Sequence, residues 1–344
     1  MSGLLTPNPV YKPFRYPWAY EMWLKQQQVH WLPEEVPLAD DVKDWHHKLN
    51  AGERNLLTHI FRFFTQADVE VNNCYMKHYS RVFQPTEVQM MLAAFSNMET
   101  IHIAAYSHLL DTIGIPEVEY SAFLRYKEMK DKYDYMQGFN VNNPTEIART
   151  LAVFGAFTEG LQLFASFAIL MNFPRFNKMK GMGQIVTWSV RDETLHTLSI
   201  IRLFRTFVEE NKHVWTESFQ RELYLACDTV VDHEDAFIDL AFELVGRGPE
   251  VATGIACGEQ VEREHQDHRD AHADPEPDQQ AIDRAQLKGA PDLEEIVAPH
   301  DQRRDRGDPG VLLAEGHVRL HAKHLQRHIE YLLRNVNDLL HDVA

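Results

Sequence analysis

Charged side chains inside strongly apolar helical patterns constrain this chain more than any other feature. Glu99 and His102 lie three residues apart in one such pattern, and Glu193 and His196 repeat that spacing in another. Residues three apart on a helix share a face, so each pair can bind one metal ion from a single rigid element. A single Glu and His at this spacing are usually solvent-exposed. Its recurrence in a second apolar helix favours a metal site.

Two further carboxylates lie in apolar runs where a charge is costly. Asp68 falls within residues 60–69 and Glu159 within residues 151–161. An unpaired carboxylate buried in such a helix is expensive, and bound divalent cations would remove that cost. Two Glu-x-x-His helices plus two helices with single carboxylates form the ligand set of di-iron and di-manganese carboxylate bundles, except that Asp68 stands where Glu is usual. The six residues therefore predict a dimetal site.

The apolar spacing predicts an all-α bundle over residues 45–244, preceded by a proline-rich arm over residues 1–44 with a short helix near 20–28. The dimetal ligand set is that of ferritin-like bundles, so we expect a bundle of this class. The predicted bundle helices span about 51–82, 86–110, 145–171, 183–210 and 216–244. A more polar helix at 117–137 is expected to present a solvated outer face. His233 and Glu234 are expected at the surface, because no spacing ties them to a site.

The composition changes abruptly after about residue 244. Residues 246–309 are rich in charged residues, glutamine and proline, and Tyr331 is the only aromatic residue beyond Phe242. A segment of this kind cannot bury a core, so residues 245–344 are expected to be partly disordered and atypical, with an amphipathic helix near 311–343. Four histidines in that helix have helical spacing, and we interpret them as a solvated face rather than a metal site: His317, His321, His324 and His328.

Charge and cysteine content exclude several other classes of function. The formal net charge is −17 and no basic stripe stands out, which disfavours nucleic-acid binding. Only three cysteines occur, with no C-x-x-C motif, which suits a reducing compartment. The first residues lack a signal-peptide pattern, and no charge-free run of about 18 apolar residues is present. We therefore expect a cytoplasmic protein without a membrane span.

These motifs resemble those of the small, radical-generating subunit of class I ribonucleotide reductase. The resemblance covers residues 10–244, in the family's order. It rests on Asp68, Glu99-x-x-His102-x-x-x-Tyr106, Glu159 and Arg191-Asp192-Glu193-x-x-His196. It implies that a dimetal centre activates O2 and generates a tyrosyl radical. The large subunit would use this radical to reduce ribonucleotides to the deoxyribonucleotides needed for DNA replication.

The resemblance also implies a role for each residue. Asp68, Glu99 and His102 would hold one metal ion, and Glu159, Glu193 and His196 the other. The cofactor would be two iron ions as a di-iron-oxo centre, with dimanganese or mixed Mn/Fe as alternatives. The resemblance also makes Tyr106 the radical tyrosine and Trp31 the electron-transfer tryptophan. Asp192 would be the aspartate that links a ligand histidine to Trp31. Leu163 and Phe167 would line the apolar pocket around the radical.

The implied partners are the large subunit and a second copy of this chain, since twofold dimers are common. Residues 246–344 depart from the family, because they do not match its C-terminal docking tail or the tyrosine that this tail carries. They could be a natural variant, a fusion or the product of a shifted reading frame. Tyr331 is the one candidate for a tail tyrosine, and its amphipathic surroundings favour a packing role.

Three other hypotheses remain open at this point. A ligand-binding oxidase or a monooxygenase on the same scaffold is disfavoured by Asp68, because those relatives have Glu as the first ligand. A ferritin-like storage protein would have no need of Tyr106 or Trp31. The last alternative is a non-catalytic ferritin-like protein whose C-terminal region serves only interaction.

Overall fold

The computed structural model describes residues 3–116 and 122–246, and helices form all the regular secondary structure within those ranges. We number the main helices α1 to α8. They are α1 (Pro17–Gln28), α2 (Ala39–Lys43), α3 (Ala51–Asn73), α4 (Thr86–Ile113), α5 (Lys127–Met136), α6 (Pro144–Arg175), α7 (Lys180–Glu210) and α8 (Glu217–Gly246). Short 3-10 turns lie at Pro33–Glu35, Ala122–Arg125 and Lys212–Val214. The expected all-α fold is confirmed.

Four long helices form the centre of the bundle. Helix α3 packs against α4, α6 packs against α7, and α8 covers both α3 and α6. Helix α1 of the N-terminal arm lies along α4. These helices carry most of the buried apolar residues, because each has helical apolar spacing over at least five turns. The bundle therefore brings the four helices with predicted metal ligands side by side.

The ends of these helices follow from local sequence. Asn50 caps α3: its side chain accepts from the backbone N–H of Glu53, and the Glu53 carboxylate accepts from the N–H of Asn50. Gly114 ends α4 in the left-handed conformation at φ 81°, which only glycine adopts without cost. Pro85 precedes α4, as the sequence predicted for a break before that helix.

Besides Asp44–Lys48 before α3, two stretches of the bundle are wound as π-helix instead of α-helix. One continues α3 over Cys74–Tyr79, and the other occupies Leu151–Gln162 within α6. A π-helix holds more residues per turn than an α-helix, so it changes which side chains face the core, and it is frequent at functional sites. Glu159 lies in the second stretch and Tyr75 in the first, and both are buried.

Helix α6 is long and apolar enough, by length and composition, to cross a membrane. However, 94% of its most apolar 18-residue stretch is buried inside the protein. Such burial is typical of the central helix of a bundle, which must be apolar nearly all round. This segment therefore lies at the centre of the bundle.

Two expectations about the surface need correction: Glu234 is not exposed, and α5 has a solvated outer face but buries one of its charged side chains. Lys132, in the helix predicted to be solvated, is fully buried, and Glu234 is only 4% exposed. The two side chains form an ion pair between α5 and α8, and the Lys132 ammonium lies over the rings of Phe63 and Phe237 at 4.2 Å and 4.4 Å. A tertiary contact between distant helices leaves no spacing signal along the chain, which is why the sequence pattern missed this pair.

The predictions for the C-terminal region fall outside the described residues. One is the prediction of a partly disordered stretch over 246–309, of which only the first residue is described, as the end of α8. The other is the predicted helix near 311–343. The same holds for the interpretation of the histidines and Tyr331 there.

Candidate metal centre

The bundle places all six predicted ligands in its interior. Asp68 comes from α3, Glu99 and His102 from α4, Glu159 from α6, and Glu193 and His196 from α7. Each of the six residues is at most 2% exposed. Burial of four carboxylates and two imidazoles in one region is costly unless they neutralise one another or bind cations.

The tightest group joins residues from three helices. Glu99, Glu159, Glu193 and His196 each offer one ligand atom, and these atoms all lie within 4.8 Å of one another. His196 Nδ1 lies 3.0 Å from Glu99 Oε1. His102 Nδ1 adjoins the same group, at 3.1 Å from Glu193 Oε1 and 3.6 Å from Glu99 Oε2. Both imidazoles therefore direct Nδ1 toward the carboxylates.

Asp68 lies beside this group rather than in its tightest part. Its charge acts on Glu99 and His102, and its Oδ2 has no hydrogen-bond partner in the described structure.

Several buried ligand atoms have no hydrogen-bond partner among the residues that the structure describes. They are Asp68 Oδ2, Glu99 Oε1 and Oε2, Glu159 Oε2, Glu193 Oε2 and His196 Nδ1. The His196 contact with Glu99 is short but lacks hydrogen-bond geometry. Buried polar atoms are rarely left unsatisfied without a reason. Carboxylate oxygens with imidazole nitrogens suit iron and manganese, so the residues present fit a pair of such ions.

The ionisation of the cluster reflects its crowding. Burial, together with the nearby Glu99 carboxylate, raises the pKa of Asp68 well above its usual range. Burial also raises the pKa of Glu159. Burial alone would lower the pKa of His196, but contacts with Glu193 and Glu99 outweigh it and raise the value to about 10. The metal-free cluster therefore retains protons, which bound cations would displace.

Each of the two histidines has a polar partner on its outer nitrogen. His102 Nε2 lies 3.3 Å from Asp192 Oδ2, and His196 Nε2 lies 3.1 Å from Gln26 Oε1. If each Nε2 carries the proton and donates a hydrogen bond to its partner, Nδ1 keeps its lone pair for a metal ion. Such outer partners fix the tautomer and orientation of ligand histidines.

Asp192 connects the cluster to Trp31. The Trp31 indole Nε1 donates to Asp192 Oδ2 at 2.8 Å, and its ring centroid lies 6.1 Å from that of His102. Burial would raise the pKa of Asp192, but hydrogen bonds from His102 and Trp31 and the charge of Arg191 outweigh it and lower the value. The aspartate is therefore held as an acceptor between the imidazole and the indole.

Tyr106 is 1% exposed and lies one turn beyond His102. Its hydroxyl donates to Ser189 Oγ at 3.3 Å, and its ring stacks on Phe64 with centroids 5.0 Å apart. Phe64 in turn stacks on Phe167 at 5.1 Å. Burial and the nearby Asp68 carboxylate raise the pKa of the phenol, so the neutral phenol is the stable form.

Four neighbours of the cluster were not predicted: Gln26, Phe64, Ser189 and Tyr75. The Tyr75 hydroxyl donates to Glu159 Oε1 at 2.7 Å. A signal for Tyr75 was present, because it lies seven residues after Asp68 and therefore on the same helical face. Gln26 comes from the N-terminal arm, and only the folded structure brings it to His196.

A comparison with family models decides the family. The model described as "Ribonucleotide reductase, small chain" matches residues 9–251. The chain belongs to this family. Relatives agree: the probable ribonucleoside-diphosphate reductase small subunit 376L of Invertebrate iridescent virus 6 is 48% identical over 259 residues, which cover 70% of this chain and 72% of that protein. The ribonucleoside-diphosphate reductase subunit beta of Chlamydia pneumoniae is 28% identical, over 72% and 76% of the two chains.

Solved structures show the same fold. The ribonucleotide reductase R2 subunit from Clostridium botulinum superimposes with a TM-score of 0.64 at 22% identity, over 71% of this chain and 79% of that one. An R2-like ligand-binding oxidase with a Mn/Fe cofactor superimposes with a TM-score of 0.53 at 18% identity, over 66% and 83% of the two chains. At these identities the likeness establishes the ferritin-like bundle and nothing further.

Membership in the ribonucleotide reductase small-chain family makes the chain an oxidoreductase subunit. The leading functional hypothesis is thereby confirmed over the oxidase, storage and non-catalytic alternatives. The buried Glu and His residues form a group that could hold a metal pair.

Proposed function

We propose that Asp68, Glu99 and His102 hold one metal ion of a dimetal centre, and that Glu159, Glu193 and His196 hold the other. The buried, partnerless ligand atoms on four adjacent helices carry this proposal. Iron is our first candidate for both ions, and dimanganese or mixed Mn/Fe sites use the same donors. When bound, such a pair supplies the O2 activation on which the family's radical chemistry depends.

In this proposal Tyr106 would carry the radical, losing one electron and its phenolic proton to the O2-derived oxidant that the bound metal pair would supply. Its surroundings support the role, because Phe64 stacks on the ring and the residue is 1% exposed. Water and reductants are thereby kept from a phenoxyl at this position. The predicted pocket residues Leu163 and Phe167 are also buried, at 1% and 3% exposure.

We propose that Asp192 and Trp31 carry the oxidising equivalent between the centre and the large subunit. The aspartate accepts hydrogen bonds from both the imidazole of His102 and the indole of Trp31, at 3.3 Å and 2.8 Å. This continuous link lets electron and proton movement be coupled along a single route. The large subunit would then use the oxidising equivalent to reduce ribonucleotides.

We expect the bundle over residues 45–244, with the arm over residues 1–44, to form a homodimer in the cytoplasm. Closed twofold dimers are the commonest oligomers, which supports this assembly. Sedimentation velocity at micromolar concentration should show a species of twice the chain mass. A monomer alone at that concentration would contradict the expectation.

The Tyr106→Phe variant tests the radical assignment. The substitution removes only the hydroxyl, whose described hydrogen bond is the long one to Ser189, so folding and metal content should be unchanged. After Fe(II) loading and exposure to air, the long-lived tyrosyl signal in the electron paramagnetic resonance (EPR) spectrum should disappear. Tyr16→Phe, at a buried tyrosine bonded to Glu210, is the control and should keep the signal. A long-lived signal of unchanged shape in Tyr106→Phe would place the radical on another residue.

A further inference from the structure

A second tyrosine contacts the proposed centre more directly than Tyr106 does. The Tyr75 hydroxyl donates to Glu159 Oε1 at 2.7 Å, whereas the Tyr106 hydroxyl donates to Ser189, which we do not assign as a ligand. Tyr75 is 2% exposed, and its ring lies 6.1 Å from that of His196. Glu159 and His196 are both assigned to the same metal ion, so Tyr75 adjoins that half of the proposed centre.

The two tyrosines lie in different parts of the protein core. Tyr75 belongs to an apolar cluster with Tyr79 and Phe95, while Tyr106 belongs to another with Phe64 and Trp31. The charges that face them also differ: Glu159 and Glu99 act on Tyr75, and Asp68 and His102 act on Tyr106. Tyr75 and Tyr106 therefore lie near the proposed centre in different clusters.

We propose that Tyr75 is a second oxidisable residue of this protein, able to donate an electron to the oxidised metal pair. The inference rests on the proposed function. In this step Tyr75 loses one electron to the metal pair and its phenolic proton to Glu159 Oε1, which leaves a neutral phenoxyl. The proton crosses an existing 2.7 Å hydrogen bond, so no side chain has to move.

The geometry of Glu159 leaves one carboxylate oxygen to receive the proton and the other to bind a metal ion. Its Oε1 accepts from Tyr75, while its Oε2 has no hydrogen-bond partner in the described part of the chain. Oε2 can therefore bind the metal ion while Oε1 receives the proton.

The environment of Tyr75 predicts a radical with a shorter lifetime than that on Tyr106. Its ring lies 5.7 Å from Tyr79, another oxidisable phenol, and the buried free thiol of Cys74 interacts with Tyr79. Tyr106 instead stacks on Phe64, which is not readily oxidised. An oxidising equivalent on Tyr75 can therefore migrate to Tyr79, so the signal should be transient.

The test uses the full chain loaded with Fe(II), mixed with O2 and frozen at intervals from milliseconds to seconds for EPR. Tyr106→Phe should give a short-lived radical whose shape differs from the wild-type signal and narrows when the protein contains ring-deuterated tyrosine. The Tyr106→Phe/Tyr75→Phe variant should reduce this signal to background. Tyr106→Phe/Tyr79→Phe is the matched control and should retain the signal with a longer lifetime, because Tyr79 donates to the Thr150 carbonyl and not to a ligand, and its removal closes the migration route.

Metal content separates a redox role from a positioning role. Both double variants should bind as much iron as the wild type. A transient radical that survives Tyr75→Phe would overturn the inference, as would the absence of any transient in Tyr106→Phe while the wild type forms its radical. Iron loss in the Tyr75→Phe variants would also overturn it, by making Tyr75 a structural support for Glu159. A wild type that binds iron but never forms a radical would overturn the proposed function and this inference together.

Discussion

Replacing Lys132 with methionine should lower the free energy of unfolding by about 3–5 kcal/mol, the usual cost of removing one partner of a buried ion pair. The ammonium is fully buried between two aromatic rings, and it pairs with Glu234 and donates to the Gln162 carbonyl at 3.2 Å. Without it, the Glu234 carboxylate would stay buried with no compensating charge. Chemical denaturation of the metal-free chain, followed by circular dichroism, measures the change.

The pKa values show the cost that burial imposes on this pair. Burial raises the pKa of Glu234 to about 7 even with Lys132 beside it, and burial lowers the pKa of Lys132. Removing both charges should therefore cost less than removing one. The Lys132→Met/Glu234→Leu variant is expected to recover most of the lost stability, because two apolar side chains leave no isolated charge.

A surface pair supplies the control for this prediction. Lys127 and Asp131 form an ion pair on the same helix, with side chains 85% and 41% exposed. Lys127→Met should change stability by about 0–1 kcal/mol, as is usual for exposed pairs. Equal effects of Lys132→Met and Lys127→Met would contradict the buried pair, as would a double variant less stable than Lys132→Met alone.

Replacing Trp31 with phenylalanine should reduce nucleotide reduction with a cognate large subunit by roughly 10- to 100-fold, the usual effect of losing a partner just outside a metal site. The change removes the indole N–H that donates to Asp192 but keeps an aromatic ring in the pocket. Iron content and the Tyr106 radical should be unaffected, since among the described residues Trp31 meets the centre through the Asp192 link and the His102 ring. Turnover and EPR on the same samples separate transfer from radical formation.

Trp188 provides a matched control for this substitution. Its ring lies 5.0 Å from that of Trp31, but it makes none of the described hydrogen bonds to Asp192. Trp188→Phe should therefore keep most of the turnover. Wild-type turnover in Trp31→Phe would remove the indole from the route, and equal losses in both variants would indicate that ring packing matters rather than the hydrogen bond.

The centre of the fold could be predicted because its signals are local. Glu99 and His102 share a helical face because of their spacing. The residues around Glu159 are apolar on nearly every side of the helix, which predicts burial at the centre of the bundle. The boundaries of α4 and α7 were predicted to within three residues, because proline and glycine punctuate the chain there. Features that depend on the residues of a single helix can therefore be predicted from the sequence alone.

The contacts that escaped prediction all join distant parts of the chain. Gln26 meets His196 across 170 residues, and Tyr75 meets Glu159 across 84. Glu234 was assigned to the surface because the partner that allows its burial, Lys132, lies on another helix. The π-helical stretches also shift which side chains face inward, and no spacing rule for α-helices foresees that shift.

The most direct test of the central claim is anomalous diffraction from crystals of the metal-loaded chain. Data collected at the absorption edge of the bound metal should show two peaks roughly 3–4 Å apart, as in two-metal sites generally. Both peaks should lie among the carboxylates and imidazoles of Asp68, Glu99, His102, Glu159, Glu193 and His196. A single peak, or a pair of peaks bound by other residues, would contradict the proposed dimetal centre.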